Sequence, residues 1–276
     1  MNKLTGSLFL LLAVPFISTA QFYYKDFIGR SQASTDIQVY KKANVHAISL
    51  KSFESDGTES EGFFCEKKMT KNYKKVTLYT RLGASEKSLM ESYFDEKGLL
   101  LKTYDSSEIA VATNTFEYDK DNNLQKTISY SKSNDDDFIN QLTEEHVYHY
   151  DTNNNLVSMT KIKNNTDSVE FLFSLDENGN VAIEKNLKNN MVYYYYYDAA
   201  KRLTDIVHHN DITNKLVADY IFEYNNENQI TKMTTTEPGS DNYFIWKYDY
   251  ENNLRMLERV FSKELKLMGK IMYEYK

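Results

Sequence analysis

The sequence predicts an all-β protein, a long, curled antiparallel sheet of consecutive tyrosine-rich hairpins. Three observations predict it. The 276 residues include 23 Tyr and 15 Phe but only two prolines, and aromatic side chains favour strands. An aromatic or apolar residue followed by Asp or Asn recurs seven times, each time with an apolar residue five positions after the Asp or Asn. Ahead of each anchor, bulky residues alternate with period two, the pattern of a strand with one buried face.

The chain opens with Lys3, an apolar stretch over residues 8–17 and the small residues Ser18-Thr19-Ala20. These are the charged start, apolar run and cleavage site of a secretory leader. The expectation is a leader over 1–20 and a mature chain beginning at Gln21, exported to the periplasm or the exterior. The apolar stretch falls short of the roughly 20 residues that a bilayer-spanning helix needs. No Cys follows it to accept a lipid, so a lipoprotein is not expected. No later segment is apolar enough to predict a transmembrane segment in the mature chain.

Residues 21–90 are less regular and are expected to be β structure, either decayed repeats or a cap. Such a cap would protect the first edge strand, because an open edge invites aggregation. Residues 45–53, the turn Asp56-Gly57 and residues 62–65 read as a hairpin, and residues 73–82 as a strand. Cys65 is the single cysteine, which excludes an internal disulfide and fits a buried strand thiol. About 256 mature residues suffice for a large core.

Residues 91–276 carry the repeats, continuous with the preceding segment. The anchors are Phe94-Asp95, Tyr118-Asp119, Tyr150-Asp151, Leu175-Asp176, Tyr197-Asp198, Tyr224-Asn225 and Tyr248-Asp249, and Tyr275 begins an eighth. Three residues after the Asp or Asn stand Gly98, Asn122, Asn154, Gly179, Asn228 and Asn252. Gly and Asn tolerate a left-handed backbone, and Asp or Asn caps a turn through its side chain. Each copy therefore reads as strand, three-residue turn, strand. Lys201 fills the left-handed position after Asp198, so that turn is expected to be strained or differently closed. Anchors are 24, 32, 25, 22, 27 and 24 residues apart. With the turn fixed, tight turns should line one edge of the sheet and variable loops the other, where repeat proteins gather their working insertions.

These copies resemble the RHS/YD repeats of bacterial surface and secreted proteins, whose motif runs aromatic-x-Tyr-Asp-x-x-Gly-Arg-Leu. Residues 116–124 and 246–254 are similar to it, and residues 195–203 keep the Arg-Leu. Most copies depart from it with Asn in place of Gly-Arg. The resemblance covers about residues 90–276 and implies the curled sheet of hairpins. No C-terminal toxin segment is present to carry over the encapsulating role of the large members.

The sequence offers little chemistry. The formal charge of −7 becomes −8 when Lys3 leaves with the leader (−7 minus one positive charge). The basic residues are dispersed, so no nucleic-acid partner is expected. His146 and His149 point to opposite faces of one strand, as do His208 and His209, without zinc spacing. There is no nucleophile elbow and no phosphate or dinucleotide loop. No catalytic, cofactor-binding or metal residue is assigned. Asp119, Asp151 and Asp176 open alternating Asp/Asn runs that resemble calcium loops, but the acid twelve positions along is missing, and the turn itself requires those residues. Two candidate binding features remain. Tyr194 and Tyr196 lie on the opposite face from Tyr193, Tyr195 and Tyr197 and form an aromatic platform. Asp135, Asp136 and Asp137 sit in the longest loop. The leading expectation is an exported, non-enzymatic structural or binding module at the cell envelope, with a protein or glycan partner. The alternative is a hydrolase whose acids converge inside the curled sheet.

Overall fold

The computed structural model describes residues 21–83, 86–135, 141–210 and 214–276. Residues 1–20, where a leader is expected, and Asp136 and Asp137 lie outside the described residues. A π-helical turn over Tyr24–Gly29 runs into helix α1 (Arg30–Lys42), and eighteen strands follow. The first six are β1 (Ala47–Glu54), β2 (Phe64–Met69), β3 (Lys75–Leu82), β4 (Glu86–Phe94), β5 (Leu100–Ser107) and β6 (Ala110–Tyr118). Next come β7 (Leu124–Ser133), β8 (Gln141–Tyr150), β9 (Leu156–Lys163), β10 (Asp167–Leu175), β11 (Val181–Asn186) and β12 (Val192–Tyr197). The last are β13 (Leu203–Asn210), β14 (Lys215–Tyr224), β15 (Ile230–Thr236), β16 (Tyr243–Glu251), β17 (Leu254–Phe261) and β18 (Leu267–Tyr275).

Every strand pairs antiparallel with its neighbours in sequence, and β18 returns to pair with β1. The register there runs from Ile48 opposite Tyr275 to Glu54 opposite Gly269. The Lys276 carbonyl seals the seam by accepting the His46 and Ala47 amides at 2.8 and 3.0 Å. The sheet is thus a closed barrel, which corrects the expected open, curled sheet. Closure pairs the backbone groups that two edge strands would leave exposed. The expected hairpin of residues 45–65 forms as β1 and β2, with Leu50 opposite Cys65, and Cys65 is buried.

The N-terminal segment corrects a second expectation. Residues 24–42 are helical, not β. A ring of this many strands encloses more space than its wall side chains fill; barrels of 16–18 strands commonly hold water. Here Phe22, Tyr23, Tyr24, Phe27 and Ile28 enter that space and pack among inward residues of β6 to β15. Ala33, Ile37 and Tyr40, at helical spacing, pack against β1 to β5. The inward positions are those of the period-two pattern: Tyr148, Phe171, Phe173, Tyr195, Phe222 and Trp246 are all buried.

Six of the seven expected turns close as the sequence indicates. At Asp119 the amide donates to the Asn123 carbonyl (3.0 Å), and the Asn122 amide returns to the Asp119 carbonyl (3.1 Å). One carboxylate oxygen of Asp119 accepts the amides of Asp121 and Asn123 at 2.8 and 2.9 Å. The same pair of amides, two and four residues on, reaches the side chains of Asp95, Asp151, Asp176, Asp198 and Asn225. Gly98, Asn122, Asn154, Gly179 and Asn228 are left-handed, as expected. Lys201 also adopts φ 61°, so its turn closes like the others with a side chain that disfavours this backbone.

The seventh turn is a correction. Tyr248 and Asp249 remain inside β16, where Tyr248 points inward and Asp249 outward to Arg259. The chain reverses two residues later, through Asn252 (φ 52°) and Asn253 (φ 66°), with Glu251 opposite Leu254. That is a two-residue turn with both central residues left-handed, whose twist matches the flanking strands. Asn252 is a turn residue, as expected; Asp249 is not.

The anchor tyrosines bind one hairpin to the one before it. The hydroxyls of Tyr118, Tyr150 and Tyr197 donate to the carbonyls of Leu100, Leu124 and Val181 at 2.5, 2.8 and 2.9 Å. Tyr250, not Tyr248, continues the series to Ile230 at 2.9 Å, and Tyr275 ends it at Arg255, 2.6 Å away.

Candidate functional site

A group of charged side chains lies inside the barrel, where the N-terminal segment meets the wall. β8 presents Glu144, His146 and Tyr148 inward at alternate positions, β9 presents Lys161, and β11 presents Glu184. The N-terminal segment brings Asp26. His146 Nδ1 donates to Asp26 (2.5 Å) and Nε2 to Glu144 (3.0 Å). An imidazole that donates through both nitrogens carries a positive charge. Tyr148 also donates its hydroxyl to Asp26, and Lys161 reaches Glu144 at 2.7 Å. Burial works against a charged His146, but Asp26 and Glu144 outweigh it and raise its pKa to about 9. Burial likewise opposes Glu144 ionisation, yet His146 and Lys161 bring its pKa down to about 2.

Glu184 is 1% exposed. Its carboxylate accepts the Phe22 and Tyr23 amides, each at 3.1 Å, and the Tyr195 hydroxyl at 2.7 Å. Three acids therefore do converge inside the barrel. Each is engaged by donors of this same chain, in an arrangement that fixes the N-terminal segment to the wall. Sequence reasoning missed this group. Its available signal was the set of charged residues at inward register positions, His146 among them.

The sequence-derived candidates lie apart from it. Tyr196 is 48% exposed and Tyr194 half-buried, both on the outer face of β12. Around them the outer wall carries Ile183 and Val207, the register partners of Tyr194, with exposed Leu172 and Ile221 nearby. Asp135 is exposed at the opposite edge from the tight turns, and its amide donates to Ser133 Oγ at 3.1 Å. The Oδ1 atoms of Asp119, Asp151 and Asp176 each hold two backbone amides. Among the described residues, no group of three or more His, Cys, Asp or Glu is disposed to hold a metal ion.

Elsewhere the outer wall carries charge pairs between neighbouring strands. Lys51 pairs with Glu274 (2.5 Å), Lys126 with Glu145 (2.6 Å), Lys232 with Glu223 (2.7 Å) and Arg259 with Asp249 (2.5 Å). A charge facing lipid costs about 2–4 kcal/mol at the middle of a membrane barrel and about 0–1 kcal/mol near its ends; of these residues Lys51 and Glu145 lie near the middle of β1 and β8. At the turn edge, the displaced seventh turn leaves a groove of about 540 Å³ beside the sixth, lined by Asn225, Gln229, Thr231, Tyr248 and Asn252.

No family model matches the chain, and no curated protein matches it. Among solved structures, a TcdB2-TccC3-Cdc42 complex aligns at 10% identity and TM-score 0.28, over 78% of this chain and 16% of that one. A porin-like protein from Bacteroides uniformis aligns at 9% identity and TM-score 0.38, over 84% of this chain and 98% of that one. A porin-like protein from Bacteroides vulgatus aligns at 8% and TM-score 0.27, with the same coverage. This chain thus spans about a sixth of the first of these relatives. Similarities this distant carry no argument about function, and the class of the protein rests on its own geometry: a closed antiparallel barrel of consecutive hairpins around an N-terminal helical segment.

Proposed function

We propose that the chain is an exported structural or binding module of the cell envelope, which holds a protein or glycan on its outer wall and is not an enzyme. One observation carries the reading: the barrel interior is occupied by the chain itself. Phe22 and Phe171 pack edge to face at 4.9 Å, Tyr23 and Tyr195 at 5.3 Å, and the interior acids hold the N-terminal segment. The outer wall and the two rims remain for a partner. On that wall Tyr194, Tyr196, Ile183, Val207, Leu172 and Ile221 offer aromatic and aliphatic surface beside polar neighbours, the composition that interface centres favour. The repeated aromatic-Asp turns and the tyrosine hydroxyl series support reading the hairpins as distant relatives of RHS/YD repeats.

The test is an affinity pull-down of the mature chain against envelope proteins and a glycan array, run beside a Tyr194→Ser/Tyr196→Ser variant. Both substitutions point outward, so the variant should keep its melting temperature within a few degrees. The expected result is a ligand retained by the natural chain and at least ten-fold weaker on the variant. Equal retention by both would remove this face from consideration.

A further inference from the structure

The N-terminal segment does not fill the barrel evenly. At the loop ends of β4 to β7, no described residue belongs to the apolar clusters that hold it. The inward side chains there are mostly small and polar. Ser92 of β4, Thr103 of β5, Asn114 of β6 and Ser129 of β7 stand in register and lead to Glu144 of β8. Four strands at about 4.8 Å spacing make this row about 14 Å long. One step nearer the loops stand Asp105, Ala112 and Ser131. All of these are partly exposed although they point inward. Thr127 and Leu124, also inward on β7, are 2% and 1% exposed, so the outer surface of the wall adds almost nothing to such values. The exposure of Ser129 and Ser131 is therefore to interior space, and β4 to β7 wall a polar cavity. Asp105 lies just inside the end of β5, where β5 and β6 join through Glu108 and Ile109 alone, the shortest connection at that edge.

Three features give this cavity a chemistry. Its side chains hold one another in place: Ser129 Oγ donates to Asn114 Oδ1 at 2.7 Å, and Asn114 Nδ2 donates to Thr103 Oγ1 at 3.0 Å. The relay runs one way, so the Thr103 hydroxyl keeps its own proton to give. Next to Ser129 on the inward row of β7, the buried Thr127 hydroxyl has no hydrogen-bond partner, an orphan of a kind that native interiors seldom keep. Asp105 is an unmatched charge. In the neighbouring cluster Lys25, His146 and Lys161 face Asp26, Glu144 and Glu184, cation against acid. Asp105 has no such counterpart among the described residues: its one hydrogen bond comes from the Ser106 amide, and burial raises its pKa.

We propose that this cavity binds a small protonated amine that carries hydroxyl groups, of amino-sugar size, with its ammonium group against Asp105 and its hydroxyls on Thr103, Asn114 and Ser129. An ammonium group brings three donors and the opposite charge to a carboxylate that lacks both, and such charge-assisted bonds are the strong ones. The ligand hydroxyls can accept the Thr103 proton and donate to the oxygen of Ser129. A neutral sugar would leave the Asp105 charge unmatched inside the barrel, which is costly, and an anion would be repelled by it. The inference does not depend on the outer-wall function.

The experiment is calorimetric titration of the purified chain with glucosamine and with glucose, slightly below neutral pH so that the amine is charged. Glucose has the same ring, with a hydroxyl where glucosamine has its ammonium group. Glucosamine is expected to bind at least ten-fold more tightly than glucose. Asp105→Asn keeps the side chain's size and removes its charge. It should weaken glucosamine at least ten-fold, leave glucose unchanged, and hold or raise the melting temperature. Thr103→Val should weaken both sugars several-fold. The Tyr194→Ser/Tyr196→Ser variant should bind glucosamine as the natural chain does, which separates this site from the outer wall. The proposal is overturned if glucosamine does not bind, if the two sugars bind equally, or if Asp105→Asn leaves glucosamine binding undiminished. Loss of glucosamine binding in the outer-wall variant overturns it as well.

Discussion

The Tyr224 hydroxyl lies 2.7 Å from the Leu203 carbonyl, twenty-one residues upstream in the preceding hairpin. That bond ties the last residue of β14 to the first of β13, at the edge where their wall joins the turns. Tyr224→Phe keeps the ring and removes only the hydroxyl, leaving the Leu203 carbonyl one donor short. A loss of about 1 kcal/mol is expected, which calorimetry should read as a drop of roughly 2–4 °C for a chain of this size. The fourth anchor, Leu175, has no hydroxyl, and it provides the converse test. Leu175→Tyr should supply the missing donor toward Leu156 and raise the melting temperature, provided the ring fits where Leu175 now packs.

Lys201 occupies a left-handed position that Gly98 and Gly179 fill in sister turns. Lys201→Gly should relieve about 1 kcal/mol of backbone strain, partly offset by the added freedom of the unfolded chain. It also forfeits the long contact of Lys201 Nζ with the Asn178 carbonyl, 3.4 Å. The expected outcome in chemical denaturation is a small net gain in midpoint with an unchanged slope. A loss of stability would mean that the Asn178 contact outweighs the strain.

Stability should depend on pH through the interior cluster, with opposite signs at its two ends. His146 has a folded pKa raised from 6.5 to about 9. Its contribution is complete below about pH 6.5 and is lost as pH rises through about 9. Glu144 is lowered from 4.5 to about 2, so its contribution is complete above about pH 4.5 and is lost as pH falls toward 2. The melting temperature should therefore be highest between about pH 4.5 and 6.5. The His146 shift corresponds to roughly 3 kcal/mol. His146→Gln should flatten the alkaline decline selectively, and an unaltered decline in that variant would exclude His146 as its source.

The turn aspartates should respond to acid rather than to metal. The Asp119, Asp151 and Asp176 carboxylates are held below the usual range, by the Asn123 side chain, the Asn155 amide and the Asn180 side chain respectively. Their contribution is present above about pH 4 and fades as pH falls through their lowered values. With Oδ1 already holding two amides, calcium has little to gain. Melting curves in chelator and in millimolar calcium should superimpose, and a calcium-dependent rise would restore the loop-binding reading.

The sequence carried the local parts of this fold legibly and the global ones poorly, for physical reasons. Alternation in residues 191–197 and the Asp198 turn are encoded within a few residues, so strand, face and turn could all be read there. Closure could not be read, because it depends on Ile48 meeting Tyr275 and no local pattern announces that pairing. The N-terminal segment misled because Phe22, Tyr23, Tyr24 and Phe27 are strand-favouring residues whose helical conformation is imposed by the cavity they fill. The seventh turn offered two registers, Tyr248-Asp249 and Tyr250-Glu251, and the Asn252-Asn253 pair selected the second. Of the candidate sites, the outward position of Tyr194 and Tyr196 was legible from alternation. The meeting of Asp26, His146, Glu144 and Glu184 was not, since it joins residues more than a hundred positions apart.

The seam between β18 and β1 has a consequence for what a beginning and an end mean in this molecule. Every strand of the wall, the first and last included, has two neighbours, and at the seam the Lys276 amide meets the Ala47 carbonyl at 2.8 Å. The wall is a cycle that happens to be cut there. A gene reopened in a loop such as 164–166 keeps the same ring of strand pairs only if its linker runs from Lys276 to the segment ahead of the N-terminal helix, whose residues Gln21 and Phe22 are buried in the barrel, and not straight across the seam to β1. Conversely, losing the last nine residues would not trim a tail. It would unhook a clasp and turn a surface without borders into one with two.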